Sequence, residues 1–169
     1  MMIRLAAPDD AEQIRQIYNP EVLESTVTFD LVPRSLADQL AWLANRSGVH
    51  PAVVAVSDDV IIGFGALSPY KERAAYSTSV EDSVYVHRDF RGTGVGSSIL
   101  GDLVLRAGQH GFHAVFARIV AHHSASIELH RAYGFEIVGT EVEVGRKFGK
   151  WLDVTIMQRL LTSSSCNDC

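Results

Sequence analysis

Apolar positions recur at helical spacing early in the chain. Ile14, Ile17 and Tyr18 share one face behind Asp9 and Asp10, either of which can cap a helix, and Pro20 is expected to end it. A second helix is predicted from Ser35, where S-L-A-D forms a capping-box-like start, through Leu40 and Leu43 to about Asn45. The stretch between them, EVLESTVTFDLVP (21–33), reads as irregular and exposed, a setting in which loops carry ligand contacts. AVVAV and VIIGFGAL then flank Ser57-Asp58-Asp59 as a hairpin. A strand over Ser79–Val86, a glycine-rich turn and a helix over Val95–His110 follow. The chain continues with a strand HAVFARIV, a helix over Ser124–Tyr133, and strands EIVGTEVEV and LDVTIMQRL. Two helices, an antiparallel meander and then β-α-β-α-β-β predict a single α/β (α+β) domain on a mixed sheet, spanning 1–161, with a polar tail at 162–169.

Composition narrows the class. The chain has 169 residues, 47% hydrophobic and 21% charged, as expected of one soluble domain with a real core. A formal net charge of −5 argues against nucleic-acid binding driven by phosphate attraction, so an anionic ligand must be held by local features. No stretch approaches the roughly 20 apolar residues of a membrane span, and MMIRLAAPDD lacks a secretory core, so a cytoplasmic location is expected. The two cysteines, Cys166 and Cys169, stand in the tail TSSSCNDC, which has too few ligands for structural zinc and no helix for a redox CxxC.

The segment RDFRGTGVGSSILG (88–101) concentrates glycine where a strand passes into a helix. A helix N-terminus presents unpaired amides and partial positive charge. Gly92, Gly94 and Gly96 would let such a loop wrap a phosphate without intruding side chains. Arg88 and Arg91 add local positive charge, and a diphosphate is the expected guest. A P-loop is excluded because no lysine follows the glycines, and a dinucleotide loop is disfavoured by the GxGxG spacing and by the lack of a carboxylate near Gly111. Arg91-Gly92-Thr93-Gly94-Val95-Gly96 instead fits [RQ]xxGx[GA] at each specified position.

That hexapeptide, set between strand and helix, resembles the coenzyme A loop of the GCN5-related N-acetyltransferases (GNAT). A narrower resemblance, to phosphinothricin and methionine sulfoximine acetyltransferases, runs from about Ile3 to Leu160. It is carried by Tyr18-Asn19, STVTF (25–29), KERAAY (71–76), EDSVYV (81–86), ASIELHRAYGF (125–135) and VGRKFGKWLDV (144–154). It implies a single-domain GNAT-like fold, with a mixed, mostly antiparallel central sheet and about four flanking helices. It also implies acetyl-CoA as donor, no metal, and a small amine or amino-acid analogue as acceptor.

Acetyl transfer from a thioester to an amine needs a base for the ammonium proton, an acid for the thiolate and a donor for the carbonyl oxygen. The resemblance places Glu81 where the subgroup keeps its proposed catalytic glutamate, and partial burial would raise its pKa toward that task. Asp82 is the neighbouring carboxylate, pointed by strand alternation to the other face. His130 stands where many acetyltransferases carry a tyrosine. It could serve as acid or base or only pack, with Tyr133 an alternative acid. By resemblance, the main chain of Val84, Tyr85 and Val86 would hold the pantetheine arm, with the Val86 amide polarising the thioester carbonyl. Arg91 to Gly96, with Ser97, would hold the diphosphate, and Ser126 would touch the coenzyme. His123 replaces an asparagine that family members often place three residues before that serine.

Phe29, Lys71, Arg73 and Tyr76 are the acceptor-binding candidates, either basic residue being able to pair with a substrate carboxylate. A solvated basic loop is the plainer reading of KERAAY. VGRKFGKWLDV resembles the hairpin that reaches across a two-fold dimer, which would place Lys147, Phe148 and Trp151 near the partner's cleft in a homodimer. Two other functions stay open: a coenzyme A-binding sensor without turnover, and an acetyltransferase acting on protein or peptide amines. His122, His123 and His130 lack ligands at metal spacing nearby.

Overall fold

The computed structural model describes residues 1–161, so the tail and both cysteines lie outside the described residues. Seven strands form one sheet: β1 (Met2–Leu5), β2 (Ala52–Ser57), β3 (Val60–Pro69), β4 (Ser79–Val86), β5 (Ala114–Val120), β6 (Glu136–Lys147) and β7 (Lys150–Leu160). Their order is β1-β2-β3-β4-β5-β7-β6, antiparallel except at the β4–β5 junction. The four α-helices are α1 (Ala11–Glu24), α2 (Leu36–Ala44), α3 (Val95–Gln109) and α4 (Ser124–Ala132).

Both faces of the sheet centre are covered, which explains why β2 and β3 read as continuous apolar runs. Val53, Ala55 and Leu67 join α3 residues Ile99 and Leu103 in one core. Val54, Phe64 and Ala66 join Ile14, Ile17 and Tyr18 of α1 in the other. Helix α3 lies almost on the backbone of β3. A Cβ at Gly65 would come within 2.6 Å of Ile99 and 2.8 Å of the Ser83 carbonyl, so only glycine fits there. The β2–β3 hairpin closes through Asp58 and Asp59, with φ of 49° and 61°, the type I′ geometry that suits strand twist. Ser35 caps α2 as expected. Its hydroxyl accepts from the Asp38 amide, and the Asp38 carboxylate accepts from the Ser35 amide.

The fold departs from the sequence expectation at its N-terminal end. The first element is strand β1, which pairs with β2 and is too short to signal itself locally. Helix α1 also runs through Pro20 to Glu24. The proline removes one amide donor to Gln16, which lies on the exposed face, while Tyr18, Glu21 and Val22 on the other face are buried and hold the last turn. Segment 21–33 is therefore neither wholly irregular nor exposed: Glu21, Val22 and Thr28 are all buried.

One feature of the sheet positions the site. Parallel pairing of β4 with β5 covers only Ser79–Glu81 against Ala114–Phe116. Beyond Glu81 no ladder joins the two strands, and the second edge of β4 from Asp82 onward faces open space.

Candidate active site

The gap between β4 and β5 opens into a cleft of about 590 Å³. Its walls come from β4 (Glu81–Val86), β5 (Ala117–Val120), the glycine loop, the start of α4, and Val27–Phe29. Unpaired strand edge along one wall supplies backbone donors and acceptors to an extended ligand, as in strand addition.

The glycine loop ends the cleft. Gly94 is the N-cap of α3 with φ of 90°, and Gly92 has φ of 75°, both in the left-handed region that favours glycine. A Cβ at either would meet no protein atom within 4 Å, so these backbones face open space. Val95 is buried in the core, and the Thr93 hydroxyl donates to the Phe90 carbonyl, leaving backbone as the loop's contribution at both positions. Such a cradle of bare backbone at a helix N-terminus fits a diphosphate.

The arginines behave differently from the sequence expectation. Arg88 donates through Nε to Glu21 at 2.8 Å, through Nη1 to Glu24 at 2.5 Å and through Nη2 to the Pro20 carbonyl at 3.3 Å. It clamps α1, so its charge is not free for a ligand. Arg91 gives only Nη2, at 2.8 Å, to the same Glu21 oxygen and keeps a half-exposed side chain in the cleft wall.

Glu81 and Asp82 sit at the vertex where the strands part. Burial pushes the Glu81 carboxyl above the usual range. Arg118 opposes this, while Asp82 and Glu141 add to it. Arg118, a polar break in the apolar strand β5, lies in the same cleft wall and pairs with Glu141 of β6.

Asp82 meets His130. The imidazole Nε2 lies 3.0 Å from Asp82 Oδ2, and Nδ1 lies 2.7 Å from the Ser126 carbonyl. Burial works against a charged ring here, but the Asp82 carboxylate and the Ser126 carbonyl outweigh it, holding His130 above its ordinary value. Acceptors at both nitrogens favour the imidazolium. The C-terminus of α4 fixes the ring: Gly134 takes φ of 76°, the Phe135 amide donates to the His130 carbonyl at 3.1 Å, and Phe135 packs edge-on against the imidazole at 5.0 Å. Tyr133, the other acid candidate, donates its hydroxyl to the Ser97 carbonyl at 2.6 Å.

The remaining candidates divide. Val84, Tyr85, Val86, Gly96, Ser97, Ser126 and Phe29 all line the cleft, whereas Tyr85 keeps its ring in the core, stacked on Phe64 at 5.1 Å. His123 lines the cleft too, its pKa lowered by burial and then by Arg91 and His122. Lys71, Arg73 and Tyr76 lie outside the lining. Lys71 sits over the rings of Tyr70 and Tyr76, and Tyr70 stacks on Phe116. Lys147 is 4% exposed within its own chain and donates to the carbonyls of Thr28 and Glu21. His122 meets Thr26 and His130 meets Asp82, so these two histidines serve different partners. Glu21 and Asp82 were the residues whose roles sequence reasoning missed. Neither stood out locally: Glu21 is one of several polar residues of α1, and Asp82 follows Glu81 in β4.

The Acetyltransferase (GNAT) domain family matches residues 3–156, and the chain belongs to that family. An L-methionine sulfoximine/L-methionine sulfone acetyltransferase of Pseudomonas aeruginosa is 38% identical over 158 residues, 92% of each chain. The solved GNAT superfamily phosphinothricin acetyltransferase of Sinorhizobium meliloti, in complex with AcCoA, is 38% identical with a TM-score of 0.91, covering 95% of this chain and 88% of that one. The solved ribosomal-protein-alanine N-acetyltransferase of Brucella melitensis is 35% identical with a TM-score of 0.93, covering 95% and 100%.

Proposed function

We propose that the chain acetylates the α-amine of a small amino-acid-like acceptor, with acetyl-CoA as donor, in the cleft between β4 and β5. The observation that carries this reading is the free β4 edge, which leads from the glycine loop to a half-buried glutamate at the strand vertex. Bound acetyl-CoA would supply the electrophilic acetyl group. Glu81, its pKa raised by burial, takes a proton from the acceptor ammonium, directly or through a water. The Val86 amide polarises the thioester carbonyl. As the N–C bond forms and the C–S bond breaks, the nitrogen loses its second proton to solvent and the departing thiolate takes one up, which His130 supplies by releasing its Nε2 bond to Asp82.

Phe29, on the cleft wall, bounds the acceptor pocket. Lys71, Arg73 and Tyr76 would reach an acceptor carboxylate only through movement of their loop or from a partner's copy. A two-fold homodimer is supported by Val142, Phe148 and Trp151, large apolar side chains exposed on the β6–β7 hairpin.

The test is release of free thiol from acetyl-CoA in the presence of methionine sulfoximine, methionine sulfone, phosphinothricin and an alanyl peptide, with mass analysis of the products. Acetylation of the small compounds supports the proposal. Acetylation of the peptide alone moves the acceptor to protein N-termini, and thiol release with none of the four favours a coenzyme-binding module.

A further inference from the structure

The last turn of α1 carries a carboxylate that the reaction above does not use. Glu21 is 3% exposed, yet it lies in the cleft wall beside Arg91 and Gly92. One oxygen, Oε1, accepts from Arg88 Nε and Arg91 Nη2, each at 2.8 Å. A buried carboxylate bordering an anion site would repel the guest unless its charge were already neutralised, and two guanidiniums neutralise it.

The two arginines are not equivalent. Arg88 has all three nitrogens committed, to Glu21, Glu24 and the Pro20 carbonyl. Arg91 commits one, and among the described residues its Nε and Nη1 make no hydrogen bond, while its side chain is 52% exposed. A guanidinium pinned at one corner keeps its other donors in a fixed fork, the geometry that matches a phosphate. An unpinned arginine at that exposure would lose rotamer freedom on binding, so the pin lowers the entropic cost of capture.

We propose that Glu21 is a positioning residue for diphosphate capture, acting through Arg91 while Arg88 locks the carboxylate to helix α1. The proposal rests on the reading of the glycine loop as a coenzyme A loop, and it assigns Glu21 no contact with the donor itself.

The test compares acetyl-CoA with S-acetylpantetheine, which has the same thioester but neither diphosphate nor nucleotide. The readout is the ratio of kcat/KM for the two donors. In Glu21→Gln that ratio should fall about tenfold, the loss of one well-placed charge-assisted hydrogen bond. Arg91→Gln should lower the ratio by at least as much, and the double variant should fall no further than Arg91→Gln alone. A ratio unchanged in Glu21→Gln, whether both donors are spared or both suffer equally, would overturn the proposal, because general loosening does not distinguish them. Arg91→Gln keeps the Glu21–Arg88 pair, so it carries the test if Glu21→Gln folds poorly, and an unchanged ratio there would also overturn it. A wild-type protein with no preference for acetyl-CoA would instead refute the coenzyme reading of the loop.

Discussion

His130 and Asp82 form a buried pair across the floor of the cleft, Nε2 to Oδ2 at 3.0 Å, with side chains 4% and 1% exposed. Among the described residues the second Asp82 oxygen, Oδ1, has no hydrogen-bond partner. Asp82→Ala would strand a buried imidazole without its carboxylate, at a cost of about 3–5 kcal/mol. That predicts a melting temperature lower by on the order of 10 °C for a chain of this size. The pH dependence has a definite sign. The folded value of His130 lies above the unfolded one, so its contribution is fully present below the unfolded pKa and is lost as pH rises through the folded pKa. Thermal melts across a pH series should show the gap between wild type and Asp82→Ala narrowing toward alkaline pH. Parallel curves would mean that Asp82 does not stabilise the protonated ring of His130.

Glu81 should trade stability for activity. Its folded pKa lies above the unfolded one because burial disfavours the carboxylate, so ionisation destabilises the fold once pH passes the unfolded value. Glu81→Gln removes that penalty while keeping the shape. It should melt higher than wild type at neutral pH and turn over about 10²- to 10⁴-fold more slowly, the range for a lost general base. Steady-state rates beside calorimetric melts check both, and an unchanged rate removes Glu81 from the chemistry.

The elements around the site were legible because their signals are local. The glycine loop, the cap at Ser35 and the strand Ser79–Val86 each rest on a few adjacent residues whose backbone preferences agree. What escaped was set by tertiary contact. Nothing local says that α1 continues past Pro20, since the turn is held by buried Val22 and by two arginines 67 and 70 residues away. Asp82 could be assigned to the face opposite Glu81 by alternation, but its partner lies 48 residues on, in α4. Lys147 reads only as part of a hairpin near a partner's cleft, and its burial, with its ammonium on the Glu21 and Thr28 carbonyls, depends on residues more than 100 positions away. Loop 71–76 likewise offers charge in the sequence, while its distance from the cleft depends on where β3 ends.

The acceptor side can be probed through Gly145 in β6. The Phe29 ring rests on its backbone so closely that a Cβ there would fall 2.2 Å from the ring. Phe29 is 40% exposed and can move, so Gly145→Ala should displace the ring more than it unfolds the strand. If Phe29 bounds the acceptor pocket, the variant should raise the KM for the acceptor roughly tenfold with the KM for acetyl-CoA little changed. Equal changes in both constants would take Phe29 out of acceptor recognition.

The donor side turns on Gly94. With φ of 90° it occupies a conformation that a β-branched residue adopts only under strain, at a cost of about 1–3 kcal/mol. Apart from its chain neighbours, no atom of the described residues lies within 4 Å of the position a Cβ would take, so Gly94→Val creates no clash there and should retain the fold. The added branch projects instead into the space where bare backbone would meet a diphosphate, beside Gly92 and the first turn of α3. Isothermal titration with acetyl-CoA should therefore show binding lost or weakened by at least tenfold, while far-UV circular dichroism matches wild type. Normal affinity in a folded Gly94→Val protein would mean that the donor is held elsewhere, because a valine side chain and a closely wrapped phosphate cannot share that corner.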